Sequence, residues 1–227
     1  MTADTVPVLA ARGAGRRFGE HTALEPTTME VREAEVVALL GPNGAGKSTL
    51  LALLAGGLEP SWGSIERRAG VRVGWTPQRP AHYGRLSPRE NLELFADLEG
   101  EAEPAAAATH LLGQFELPDA PRPSARLSVG NRQRLNLAIS LLGNPDVLLL
   151  DEPTASLDVR QQWEVLILLG RMNRERGTTL VVSIHDLERC ITPEMLRDVF
   201  GVDADVTKED GFLRIRVRGP ADPLRSL

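Results

Sequence analysis

Residues 41–48 read Gly41-Pro42-Asn43-Gly44-Ala45-Gly46-Lys47-Ser48, a glycine-rich loop closed by a lysine and a hydroxyl residue. Glycines at this spacing let successive backbone N–H groups turn inward around an anion. The segment that follows has helical composition, so its positive end points at the same place. Lys47 adds a point charge suited to the β- and γ-phosphates of a polyphosphate, and the Ser48 hydroxyl suits a phosphate-bound Mg²⁺. Thr49, one residue further along the helix start, completes the set. The chain contains two lysines, Lys47 and Lys208, so the match does not arise from lysine abundance.

A second constellation lies about a hundred residues on. Val147-Leu148-Leu149-Leu150-Asp151-Glu152 is an apolar run ending in two carboxylates. As a buried strand it would carry Asp151 at its C-terminal end, where the carboxylate can hold the Mg²⁺ shell. Glu152, expected on the other side of the pleat, is placed to orient and deprotonate an attacking water. Such a strand end is common alone and then only marks where a strand leaves the core; behind a phosphate loop it gains chemical meaning.

The elements that must hold these residues follow from the pattern. Val36–Leu40 reads as a buried strand, the loop interrupts it, and a helix over 48–55 is stopped by Gly56-Gly57. Residues 6–31 alternate weakly and are expected to form short antiparallel strands; Val71–Trp75 is another short strand. Ser87-Pro88-Arg89-Glu90 combines a capping serine, a first-turn proline and a glutamate that can reach back, and so starts a helix. Helices are expected over 105–115 and 131–142, with a proline-rich loop at 118–123 between them. The strand at Val147–Leu150, a helix over Val159–Arg176 and a β-branched strand over 178–184 give a strand–helix–strand order, hence a parallel sheet. A short helix is expected over 193–200. Asp210-Gly211 is expected to turn the chain before a strand over 212–218. The expected fold is therefore α/β with a parallel-sheet core, an N-terminal antiparallel β subdomain and an inserted α-helical subdomain. Within one domain over 1–227, the core would span 1–78 and 143–190, the insert 79–142, and a C-terminal helix and strand 191–227.

Composition narrows the partners. The 227 residues carry a net charge of -5 and 42% hydrophobic residues, ordinary for a water-exposed globular chain. An acidic chain lacks the basic face that nucleic acid needs. The single cysteine, Cys190, excludes an internal disulfide. Residues 1–12 lack the basic start and apolar stretch of a secretory signal. No apolar run is long enough to cross a bilayer, so any membrane span would come from another polypeptide.

With both constellations in place, the chain from about Ala10 to Arg189 resembles the ATP-binding cassette (ABC) ATPase family, whose members have the P-loop NTPase fold. Five further segments fall in that family's order. Phe18 matches an aromatic that stacks on adenine. Gln78, in Thr76-Pro77-Gln78, looks like the glutamine that senses Mg²⁺ and the γ-phosphate and faces the membrane partner. Leu127-Ser128-Val129-Gly130-Asn131-Arg132-Gln133-Arg134 resembles the LSGGQ segment. Ala155-Ser156-Leu157-Asp158 looks like the loop that crosses the dimer interface, and His185 matches the histidine that contacts the γ-phosphate. Alone, Phe18 or His185 would read as structural and Gln78 as solvated; their joint order carries the likeness. Val129 and Asn131 depart from the family's glycine and glutamine, while Ser128 and Gly130 remain. Family members also carry a strand and hairpin between the histidine and the final helix; here residues 186–192 alone separate His185 from Pro193, so one sheet-edge element is missing or Phe212–Arg218 partly takes its place.

The resemblance implies an ATPase that binds ATP and Mg²⁺. ATP would lie between the loop 41–49 of one subunit and Ser128 and Gly130 of a twin, identical or related, with Asp158 at the interface. Glu152, His185 and Gln78 would serve catalysis; Ser48, Gln78 and Asp151 would serve the metal. It implies transmembrane permease subunits as partners, no nucleic acid, and a peripheral place on the cytoplasmic face of the cell membrane. Two other readings compete: a soluble ABC ATPase outside transport, and a nucleotide-binding regulator without turnover.

Overall fold

The computed structural model describes residues 6–79, 81–155, 157, 159–184, 202–209 and 212–220. His185, Ser156, Asp158, Cys190 and the helix expected over 193–200 lie outside these residues, as does the Asp210-Gly211 pair.

Two sheets form. Strands β1 (Leu9–Phe18), β2 (His21–Val31) and β4 (Trp62–Arg67) make a three-stranded antiparallel sheet in the order β2-β1-β4. Strands β3 (Val36–Leu40), β5 (Val73–Thr76), β6 (Val147–Asp151), β7 (Thr179–Ile184), β8 (Val202–Glu209) and β9 (Phe212–Pro220) make a six-stranded sheet in the order β5-β6-β7-β3-β9-β8. Neighbours among β5, β6, β7 and β3 run parallel, while β9 runs antiparallel to β3 and β8 antiparallel to β9. The first two strands are longer than the sequence suggests. Register shifts between Ala11 and Ala14 and again up to Arg17 let the ladder continue past Gly13 and Gly15. The strand expected at 71–75 is displaced to Val73–Thr76. Strand β4 has no expected counterpart, and β8 joins β9 as a hairpin where a single strand was expected.

The apolar runs are explained by burial on both faces. Along β6, Leu148 and Leu150 enter one core cluster with Leu92, Leu135, Val165 and Val182. Val147 and Leu149 enter the other, with Leu9, Leu39, Leu51 and Val181. The first core is roofed by helices α2 (Pro88–Leu98), α3 (Pro104–Gln114), α4 (Val129–Ser140) and α5 (Val159–Arg176). The second lies between the two sheets and contains helix α1 (Lys47–Ala55), which buries Leu50, Leu51, Ala52, Leu53 and Leu54 in succession. A helix apolar all round belongs inside, not on a surface.

The helices between β5 and β6 start as their sequences require. Ser87 accepts the Glu90 N–H at 3.2 Å, and the Glu90 carboxylate accepts the Ser87 N–H at 2.8 Å, with Pro88 in the first turn. The Ser87 backbone N–H, with a smaller share from its hydroxyl, holds the Glu90 carboxyl below the usual glutamate range. Helix α4 begins two residues before the expected 131, immediately after Ser128.

Leu149 is fully buried between the sheet faces. Replacing it with alanine is expected to lower unfolding stability by about 2–5 kcal/mol, whereas the same change at exposed Leu98 should cost well under that, as urea denaturation of the two variants will show.

Candidate functional site

Register across the central sheet assembles the site. Leu39 of β3 and Asp151 of β6 both pair with Ser183 of the strand between them, β7. The C-terminal ends of β3, β7 and β6 therefore lie side by side, and strands are about 4.8 Å apart. The glycine loop leaves β3 at one side of this crevice and the two carboxylates leave β6 at the other. Ligands of open parallel sheets bind at such carboxyl ends.

The loop folds around its own lysine. Lys47 is buried, and its ammonium Nζ donates to the carbonyls of Gly41 at 2.7 Å and Pro42 at 3.1 Å. Among the described residues it has no carboxylate within ion-pair distance. Pro42, Asn43, Gly44, Ala45 and Ser48 are exposed, and Thr49 is half-buried. Gly46 caps α1 at φ 88°, with no side-chain hydrogen bond at the cap and no acidic residue in the first turn. A Cβ there would meet the Ala23 carbonyl at 2.7 Å and Leu24 Cδ1 at 2.8 Å, so both conformation and space require glycine. The start of α1 thus presents amides without a side-chain acceptor, beside a buried cation satisfied only by neutral carbonyls. This donor set fits a polyphosphate.

Opposite the loop, Asp151 is buried and its Oδ1 accepts the Ser183 hydroxyl at 2.6 Å. Ser183 Oγ in turn accepts the Glu152 N–H at 2.9 Å. Glu152 is not placed by the strand pleat, contrary to expectation. β6 ends at Asp151, and Glu152 takes a left-handed conformation at φ 51°. That conformation costs a glutamate about 1–2 kcal/mol and is held by Ser183 on one side and by the Ala155 N–H, which donates to the Glu152 carbonyl at 3.0 Å, on the other. The carboxylate then meets Gln78, whose Nε2 donates to Glu152 Oε2 at 3.0 Å. Two residues 74 apart in sequence are so brought together. Behind Gln78, Asn136 of α4 accepts the Ala81 N–H at 3.3 Å and bonds His82 Nδ1 at 2.9 Å.

One carboxylate, Asp151, with the Ser48 hydroxyl and Gln78, is a donor set that suits Mg²⁺ bound through phosphates rather than by an all-protein cage. Among the described residues no group of three or more His, Cys, Asp or Glu side chains converges on a metal-sized space.

Phe18 closes the β1–β2 hairpin, paired with His21 and 46% exposed. Gly46 packs on Ala23 and Leu24 of β2, the strand that this hairpin joins to β1. Ser128 is exposed, caps α4 and accepts the Asn131 N–H at 3.2 Å. Gly130 is buried; a Cβ there would lie 2.6 Å from the Gln161 amide of α5. Gln78 and Glu152 are in direct contact, and strand register sets the loop that carries Lys47 and the Asp151-Glu152 pair at the same ends of β3 and β6. For Ser128 and Gly130 the contacts are with their own helix and with α5. Sequence reasoning missed Ser183, whose signal is a lone hydroxyl near the end of a β-branched run, and Asn136, which reads as an ordinary helix residue.

The comparisons show the family and the fold. Residues 24–155 match the family model described as ABC transporter. The daunorubicin resistance ATP-binding protein DrrA3 of Streptomyces coeruleorubidus is 37% identical over 99% of this chain and 71% of its own length. The zinc import ATP-binding protein ZnuC of Yersinia pestis is 35% identical over 75% of this chain and 66% of its own. Both relatives are thus longer than the part this chain spans. Among solved structures, a dimeric ATP-binding cassette in a post-hydrolysis state with ADP and Pi aligns with TM-score 0.71 at 27% identity, over 79% of this chain and 89% of that one. The cbiO1 protein of Clostridium perfringens, part of the cbiONQ transporter complex, aligns with TM-score 0.70 at 27% identity, over 96% of this chain and 90% of its own.

Removing the Ser183 hydroxyl leaves the Glu152 N–H and one Asp151 lone pair without their partner. Ser183→Ala is expected to lower stability by about 1–3 kcal/mol, with Ser183→Thr closer to the native chain; chemical denaturation of both variants tests the ranking.

Proposed function

We propose that this chain, which belongs to the ABC transporter family, binds and hydrolyses ATP as one of two paired subunits and drives permease partners in a membrane. The observation that carries the reading is the register that sets the ends of β3 and β6 beside β7, with buried Lys47 behind one end and Asp151 and the Gln78–Glu152 pair at the other.

Lys47 and the amides of residues 41–49 grip the triphosphate tail, and Phe18 receives the adenine. Ser48, Gln78 and Asp151 would hold Mg²⁺, which supplies charge neutralisation on the phosphates. Glu152 orients a water and takes its proton. In the resting chain its Oε2 accepts from Gln78, so this bond must loosen as the water enters. His185 and Asp158 are assigned by resemblance to the γ-phosphate and to the subunit boundary.

Exposed Ser128 and the start of α4 lie outside the crevice contacts described for their own chain. They therefore suit a partner's nucleotide, offering amides at a helix start to its γ-phosphate. The pairing fits the dimeric state of the similar cassette. Each nucleotide then links two subunits, and its hydrolysis releases the link. Ala81 and His82, tied to α4 through Asn136, carry the change from Gln78 into the helices toward the permease. No helix among the described residues is long and apolar enough to cross a membrane, and the membrane path is assigned to those partner subunits. Similar proteins include a zinc import, a phosphonates import and a daunorubicin resistance ATP-binding protein, three unrelated chemistries served by one kind of ATP-binding chain. The cargo is therefore read by the permease, and this subunit reads the nucleotide.

Glu152→Gln keeps size and the contact with Gln78 but removes the base. It is expected to bind ATP with near-native affinity, to lose at least about 10²-fold in turnover, and to accumulate as a dimer in ATP. Steady-state phosphate release with gel filtration decides; native turnover in this variant excludes Glu152 as the base.

A further inference from the structure

Arg16 stands in an unusual environment. Its guanidinium carbon lies 4.7 Å from the centroid of the Phe18 ring. Its Nη1 donates to the Glu59 carbonyl at 2.8 Å, and its Nε is buried with no hydrogen-bond partner. Among the described residues no carboxylate lies within ion-pair distance of it. A half-buried cation is thus held by a ring and a single carbonyl. The segment that carries Glu59 is itself tied to β1: the Ser61 N–H donates to the Gly15 carbonyl at 2.7 Å, and the Arg17 N–H to Ser61 Oγ at 3.1 Å. That segment follows directly from α1, whose other end is the phosphate loop.

We propose that Arg16 is a positioning residue for the nucleotide base, fixing the Phe18 ring and setting the preference for a stacked purine. This rests on the reading of Phe18 as the adenine platform. A cation over one face draws π-electron density toward itself, which leaves the opposite face less negative and a better surface for an electron-rich purine. The same contact restricts the ring's rotation, so less conformational freedom is lost when the base arrives. Arg16 touches the ring and acts through it. Its effect therefore falls on ligands that carry a base and spares the grip on the phosphates.

The test measures binding of ATP and of inorganic tripolyphosphate to the full chain and to Arg16→Gln, Arg16→Lys, Phe18→Ala and the Arg16→Gln/Phe18→Ala double variant. Arg16→Gln is expected to weaken ATP about three- to tenfold and to leave tripolyphosphate unchanged. Arg16→Lys, which keeps the charge, should recover part of the loss. With Phe18 already removed, Arg16→Gln should add nothing, since the two act as one unit. If Phe18→Ala weakens ATP while Arg16→Gln does not, the proposal is overturned and the platform stands. If Arg16→Gln weakens both ligands alike, Arg16 serves the general field or the fold and the proposal is equally overturned. If Phe18→Ala leaves ATP binding intact, the platform reading fails and takes this one with it.

Discussion

The structure turns on one buried ammonium. Lys47 has left water, yet its partners are two carbonyls of the loop it terminates. An isolated charge in an apolar interior costs many kcal/mol unless hydrogen-bonded or compensated. The loop supplies the carbonyls of Gly41 and Pro42 to the lysine, and the Ala45 N–H donates to the Pro42 carbonyl at 3.2 Å. At the loop's end Gly46 takes a left-handed cap against Ala23.

A second constraint acts across the sheet. Asp151 and Glu152 are adjacent in sequence but sit in different surroundings. Ser183 separates them by donating to the carboxylate of one and accepting from the backbone of the other. The left-handed turn at Glu152 then swings the second carboxylate off the strand axis toward Gln78. A hydroxyl on the middle strand thus converts a plain strand end into two sites with distinct surroundings.

What the sequence made legible was what depends on contiguous residues. The phosphate loop, its helix and the capping box at Ser87 are each built within a few positions. The central strands were readable because both faces are buried, which leaves an unbroken apolar run. β4 was not readable. It reads Trp62-Gly63-Ser64-Ile65-Glu66-Arg67, is mostly exposed, and exists because β1 offers it a ladder. The hairpin β8–β9 likewise depends on the free edge of β3. Ser183 and Asn136 take their meaning from strand register and helix packing, which residue type alone does not carry. Nor does any property of glutamate announce a positive φ; at Glu152 it is imposed by the neighbours that trap it.

Helix α1 has one end in the anion loop and every turn embedded between two sheets. A molecule that binds at the loop therefore holds the core against unfolding, and its grip is expressed as an added RT ln(1 + [L]/Kd) of global stability. In this architecture the melting temperature rises with the concentration of whatever the loop binds, and a series of melting curves doubles as a titration.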